Sequence, residues 1–99
     1  MSDIKWLPRA HSARENAIDY IAAKDPLAAL SQLDEIETQV GLLAQFHSLG
    51  RNGRKPGTRE LVINRTPFLV VYRVIAASDV VQILSFLHGA QRWPSKDYE

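Results

Sequence analysis

Lys24-Asp25-Pro26-Leu27-Ala28-Ala29-Leu30 is the stretch on which the fold turns. A residue before proline is pushed out of the helical region, so any helix running up to Asp25 ends there. Proline suits the first position of a new helix, and the Asp25 carboxylate can cap that helix by accepting from its free amide groups. Upstream, from about Ala10 to Lys24, Ala13, Ala17, Ile18 and Ile21 recur at helical steps, with Arg14, Glu15 and Asp19 on the other side. Downstream, Leu27, Leu30, Leu33, Ile36, Val40 and Leu43 form a second stripe over Pro26 to about Phe46. Gly41 inside it costs about 1 kcal/mol relative to alanine, which the stripe offsets. A break this short predicts an antiparallel helical hairpin whose apolar stripes are core.

Outward from the hairpin the period changes. Ile4-Lys5-Trp6-Leu7 reads as a short first strand stopped by Pro8. Residues 47–57, His47-Ser48-Leu49-Gly50-Arg51-Asn52-Gly53-Arg54-Lys55-Pro56-Gly57, read as a glycine-rich basic loop. Strands follow at Thr58 to Asn64, Phe68 to Ile75 and Val80 to Leu87, with Ala76-Ala77-Ser78-Asp79 as a hairpin turn. The expected fold is therefore α+β in the order β-α-α-β-β-β. A helical hairpin packs on a mainly antiparallel four-stranded sheet, with one sheet face covered and the other largely free.

Composition sets the boundaries. The chain's 99 residues fit one domain, residues 1–99, and 45% apolar with 23% charged residues is globular composition. Without cysteine there is neither a disulfide framework nor a thiolate metal site. Met1 to Trp6 lacks the basic start and long apolar run of a signal peptide, and no stretch is long enough for a membrane span, so a cytoplasmic address is the expectation. Charge is unevenly spread. Positions 51–65 hold Arg51, Arg54, Lys55, Arg59 and Arg65 against the single acid Glu60, whereas 25–37 hold Asp25, Asp34, Glu35 and Glu37 with no base.

Few chemistries fit these residues. His11, His47 and His88 show no metal-ligand spacing, so no metal or cofactor is expected. Gly50 to Gly57 lacks the spacing and ending of a phosphate-binding loop, and no serine has a nucleophile-elbow sequence around it. The basic segment fits three roles: neutralising phosphates, gripping an acidic protein partner, or keeping a loop solvated. The end of the last strand, Leu87-His88-Gly89-Ala90-Gln91-Arg92-Trp93-Pro94, fits two. Arg92 on a phosphate, His88 moving a proton and Trp93 stacking on a base would make a ribonuclease corner. Alternatively, His88 closes the strand while Trp93 packs over the core edge.

Taken in order, the hairpin with Asp25-Pro26-Leu27-Ala28-Ala29, Gly50-Arg51-Asn52-Gly53-Arg54 running into Gly57-Thr58-Arg59-Glu60-Leu61, Pro67-Phe68-Leu69-Val70-Val71-Tyr72-Arg73-Val74, and Val81 to Pro94 resemble the RelE/ParE family of toxins. These belong to bacterial type II toxin–antitoxin modules and are often labelled plasmid stabilisation proteins. The resemblance covers nearly the whole chain and implies two possible activities on one fold. RelE-like members cut mRNA in the ribosomal A site, using basic side chains and a terminal tyrosine or histidine on the free sheet face. ParE-like members inhibit DNA gyrase. The arginine of the RelE pattern falls on Leu69, which can neither neutralise a phosphate nor donate a hydrogen bond. The tail offers only Arg92 and Lys96 where the nucleases place a dense basic run. The ParE-like branch is the better match.

That match implies binding rather than catalysis, with His88, Arg92 and Trp93 contacting the target. A ribonuclease would use His88 with Arg73 or Arg92, and Arg59 is a further phosphate candidate. A degenerate member that only binds its antitoxin is a third possibility. All three imply a cognate antitoxin and a toxin–antitoxin hetero-oligomer, with Arg51, Arg54 and Arg59 meeting antitoxin acids.

Overall fold

The computed structural model describes residues 1–89. Strand β1 (Asp3–Trp6) is followed by helices α1 (Pro8–Ala22) and α2 (Pro26–Gly41), and a single 3₁₀ turn, Leu42–Ala44, ends the helical part. Then come β2 (Arg51–Asn52), β3 (Arg59–Val62), β4 (Phe68–Ile75) and β5 (Val80–His88). The sheet order is β1-β5-β4-β3-β2, parallel between β1 and β5 and antiparallel elsewhere. The α+β class and element order stand as expected, but the sheet has five strands rather than four. The difference is Arg51–Asn52, which folds back onto Glu60 and Arg59 instead of staying in a loop. Gly53 permits that return: its N–H donates to the Thr58 carbonyl at 2.7 Å, and a Cβ there would lie 2.2 Å from Thr58 Oγ1.

The helical hairpin turns where Asp25-Pro26 places it. The Asp25 side chain accepts from the Ala28 N–H at 3.1 Å, and Pro26 opens α2. Pro8 opens α1 in the same way, so the helix starts earlier than the periodicity alone suggested. The buried side of α2 differs from the leucine stripe. Ala29, Ile36 and Val40 are inside, as is Leu43 in the turn that follows, while Leu27 and Leu30 are 78% and 65% exposed. The helices meet through small residues: Ala10 and Ala29 are buried, and Ala13 and Ala17 line the same interior. Position on the helix, rather than side-chain size, decides which face goes in.

Part of the second sheet face is buried as well, where a largely free face was expected. Phe68, Val70, Tyr72, Leu61, Ile63, Val81, Ile83 and Phe86 face the helices in one cluster. Leu69, Val71 and Leu87 form a second buried cluster on the opposite face, with Leu84 packed against it. A strand with an unbroken apolar run such as Phe68 to Tyr72 must be covered on both sides. A β-bulge at Leu84 makes this possible. Val71 pairs with Ser85, whereas Tyr72 pairs with Ile83, so β5 gains one residue and switches face. Because of that switch Ile83 and Phe86 both point at the helices, and so does the position of His88.

Candidate functional site

The candidate residues lie at two places. His88 ends β5 opposite Phe68, with its ring edge-on to the Phe68 ring at 6.0 Å. It stands at the rim of an apolar pocket of about 420 Å³ on the helix side, walled by Ala13, Ala17, Tyr20, Phe68 and Phe86. Arg73 is elsewhere. It follows Tyr72 on β4, so it points to the other face, where its Nε donates to Gln82 Oε1 at 2.7 Å. His88 and Arg73 are five residues apart along the sheet, roughly 17 Å at strand rise, and on opposite faces. Leu69 is packed in the second apolar cluster. The candidate ribonuclease pair His88 and Arg73 is therefore not brought together. Arg92 and Trp93 lie outside the described residues.

The second place is the β2–β3 hairpin. Glu60 is its centre, a carboxylate with a side chain only 1% exposed. Arg51 Nη2 donates to Glu60 Oε1 at 3.0 Å, the Arg54 backbone N–H donates to Oε2 at 3.2 Å, and the Arg54 guanidinium is 3.7 Å away. A buried carboxylate must be met by charge and hydrogen bonds, and Glu60 has both. Arg59 projects the other way, towards the helices, and its Nη1 donates to the Gly50 carbonyl at 2.8 Å. The three expected antitoxin contacts thus share one hairpin but not one face. Arg51 and Arg54 also expose half or more of their side chains, which leaves positive charge at the surface around a neutralised acid.

Tyr72 holds this hairpin to the core and was not singled out by its sequence. Its buried hydroxyl donates to the His47 carbonyl at 2.7 Å and accepts the Gly50 N–H at 2.9 Å. Burial pushes the phenol above its ordinary range, against the opposing pull of the Gly50 N–H and the Arg59 charge. Gly50 is required there, because a Cβ would come within 2.9 Å of the Tyr72 ring, its hydroxyl and the Glu60 carbonyl. Across the adjoining groove Arg65 forms two hydrogen bonds with Glu35, Nη2 to Oε1 being 2.9 Å. That pairing, first through its hydrogen bond, holds Glu35 below the usual carboxylate range and raises Arg65. The signal for Glu60 was present in the sequence, as the one acid in a run of five bases.

Ser2, His47 and Asp79 meet, but the serine stands between the other two. Its hydroxyl proton goes to Asp79 Oδ1, so His47 Nε2, 2.7 Å away, must act as donor to the serine. A serine whose proton is committed to a carboxylate and whose oxygen is already occupied is a fastener of β1, not a nucleophile. Among the described residues no group of three or more histidine, aspartate or glutamate side chains is placed to hold a metal, and no helix is long and apolar enough to cross a membrane.

The family model described as the ParE toxin of the type II toxin–antitoxin system, parDE, matches residues 4–93. The chain belongs to the ParE toxin family. A protein of Sinorhizobium fredii named as a candidate toxin, Y4kP, is 38% identical over 91 residues, 92% of each chain. A chain from the chromosomal ParDE toxin–antitoxin system of P. aeruginosa is 30% identical, with a TM-score of 0.78 over 89% of this chain and 96% of that one. The toxin–antitoxin complex RelBE of E. coli includes a chain 18% identical, with a TM-score of 0.61 over 93% of this chain and 100% of that one, a likeness of fold.

Proposed function

We propose that this ParE-family toxin arrests growth by binding DNA gyrase, is neutralised by a cognate antitoxin, and cuts no RNA. One observation carries the reading. His88 and Arg73, one of the pairs a nuclease could use, lie on opposite faces of the sheet, and Leu69 packs among Val71 and Leu87. General acid–base work requires the proton-moving group within hydrogen-bond reach of the reacting atom and a cation on the same phosphate, and His88 and Arg73, on two faces of one sheet, cannot supply them together. Contact with a large partner has no such requirement. His88, with Arg92 and Trp93, is the first place to seek target contact, and the exposed guanidinium groups of Arg51 and Arg54 are suited to antitoxin carboxylates.

Brief expression in cells, followed by mapping of mRNA 5′ ends, tests the reading. Arrest without codon-phased cleavage, relieved by co-expressing the antitoxin, is the expected result. Codon-phased cuts that disappear in His88→Ala would overturn it.

A further inference from the structure

We propose that the chain beyond Gly89 folds back on the helix side and seats the Trp93 indole in the apolar slot beside His88, which fixes Arg92 at the same rim. The seat rests on the slot itself, and only its use in target contact rests on the reading above. The slot begins with side-chain size. Ala13 and Ala17, one turn apart on α1, present methyl groups where the helix passes the end of the sheet. Phe68 and Phe86, their ring centroids 4.8 Å apart, form the opposite wall. The gap of about 420 Å³ lies within the roughly 300–1,000 Å³ of pockets that take a small organic group.

One polar atom of this lining is unsatisfied. Gln32 belongs to the wall from α2, and its Oε1 is buried with no hydrogen-bond partner among the described residues. A buried acceptor left unpaired is costly, so the slot calls for a donor as well as a ring. Turning the terminal amide of Gln32 aims Oε1 into the slot. An indole meets both demands, being a broad apolar ring system whose one polar group, the Nε1–H, only donates.

The chain supplies that ring at the mouth of the slot. Gly89 is the last described residue, and its N–H donates to the carbonyl of Pro67, itself part of the lining, at 2.7 Å. A Cβ at this position would lie 3.3 Å from that oxygen, so glycine lets the chain leave close against the wall. Trp93 follows four residues later, within a reach of about 13 Å, and a turn reverses the chain in that many residues. The other ring of residues 90–99, Tyr98, stands between Asp97 and Glu99, whose charges a dry slot would strip of water. Trp93 has Arg92 before it and Pro94 after it, so burying the indole leaves Arg92 at the rim next to His88.

NMR of the full chain tests the seat, with Trp93→Phe separating the Trp93 indole signal from that of Trp6. Nuclear Overhauser contacts should join the Trp93 ring to the Ala13 and Ala17 methyls. Exchange of its Nε1–H should be slower than in the urea-unfolded chain by at least about tenfold, the factor one ordinary hydrogen bond supplies. Ala17→Leu, which fills the slot, should abolish both. Contacts from Trp93 to Leu69 and Leu87 on the other face, or Trp93 signals unchanged by Ala17→Leu, overturn the seat. For the rim, Arg92→Ala and Trp93→Ala should weaken gyrase inhibition to a similar degree, and the double variant should be no weaker than either. Additive losses overturn the anchoring role. Wild-type protein without effect on gyrase overturns the target reading above, and the NMR contacts then decide the seat alone.

Discussion

Tyr72→Phe removes one oxygen from the middle of the molecule and keeps the ring. Two backbone groups lose their partner: the Gly50 N–H, which the hydroxyl accepts at 2.9 Å, and the His47 carbonyl, to which it donates at 2.7 Å. Gly50 is buried, so its orphaned N–H costs about 1–3 kcal/mol, while the half-buried His47 carbonyl adds about 1 kcal/mol or less because water can reach it. A loss of about 2–3 kcal/mol is expected, which lowers Tm by roughly 10 °C or more in a chain of this size. Urea titration of both proteins measures it, with the slope unchanged because the same surface unfolds. A difference below about 0.5 kcal/mol would refute the reasoning.

The same substitution has a pH signature. Burial raises the Tyr72 phenol above its unfolded value near pH 10, so its contribution is complete below that pH and is lost as pH rises through the folded value. The deficit of Tyr72→Phe should therefore shrink on going above about pH 10. A deficit that widens in alkali would contradict the assignment.

Glu35 works in the opposite sense. Its carboxyl is held low by Arg65, so its stabilisation is present above about pH 4.3 and disappears as pH falls through the lowered folded value. In Arg65→Ala that acid-dependent loss should be smaller, so the urea midpoints of the two proteins should converge in strong acid; a gap that persists there would argue against the pair. On α2, replacing the exposed Leu27 and Leu30 together by lysine should cost no more than about 0.5 kcal/mol each. Ile36→Ala on the same helix should cost about 2–5 kcal/mol, and equal costs at these sites would contradict the orientation of the helix.

What could be read from the sequence follows from how local each signal is. Asp25-Pro26 carries its own cap and its own break, and the hairpin turns there. The run Phe68 to Tyr72 announced a strand, but that a strand so apolar needs cover on both faces became clear only when the second cluster was seen. The bulge at Leu84 has no local signature, because it exists only relative to β4. Yet it decides the face on which His88 lies, and with it the separation of His88 from Arg73. Leu27 and Leu30 misled because leucines at helical steps look like core wherever the helix places them. In the basic run the arginines drew attention by number, but the organising residue is the single acid, Glu60, with Arg51 and Arg54 against it.

The proposed contact with gyrase can be tested in vitro. Adding the purified full chain to DNA gyrase, relaxed plasmid and ATP tests it most directly. Supercoiling should be blocked or cleaved DNA trapped, and prior addition of the antitoxin should restore activity. Undiminished supercoiling at micromolar excess, from a preparation that still arrests growth in cells, would contradict the account.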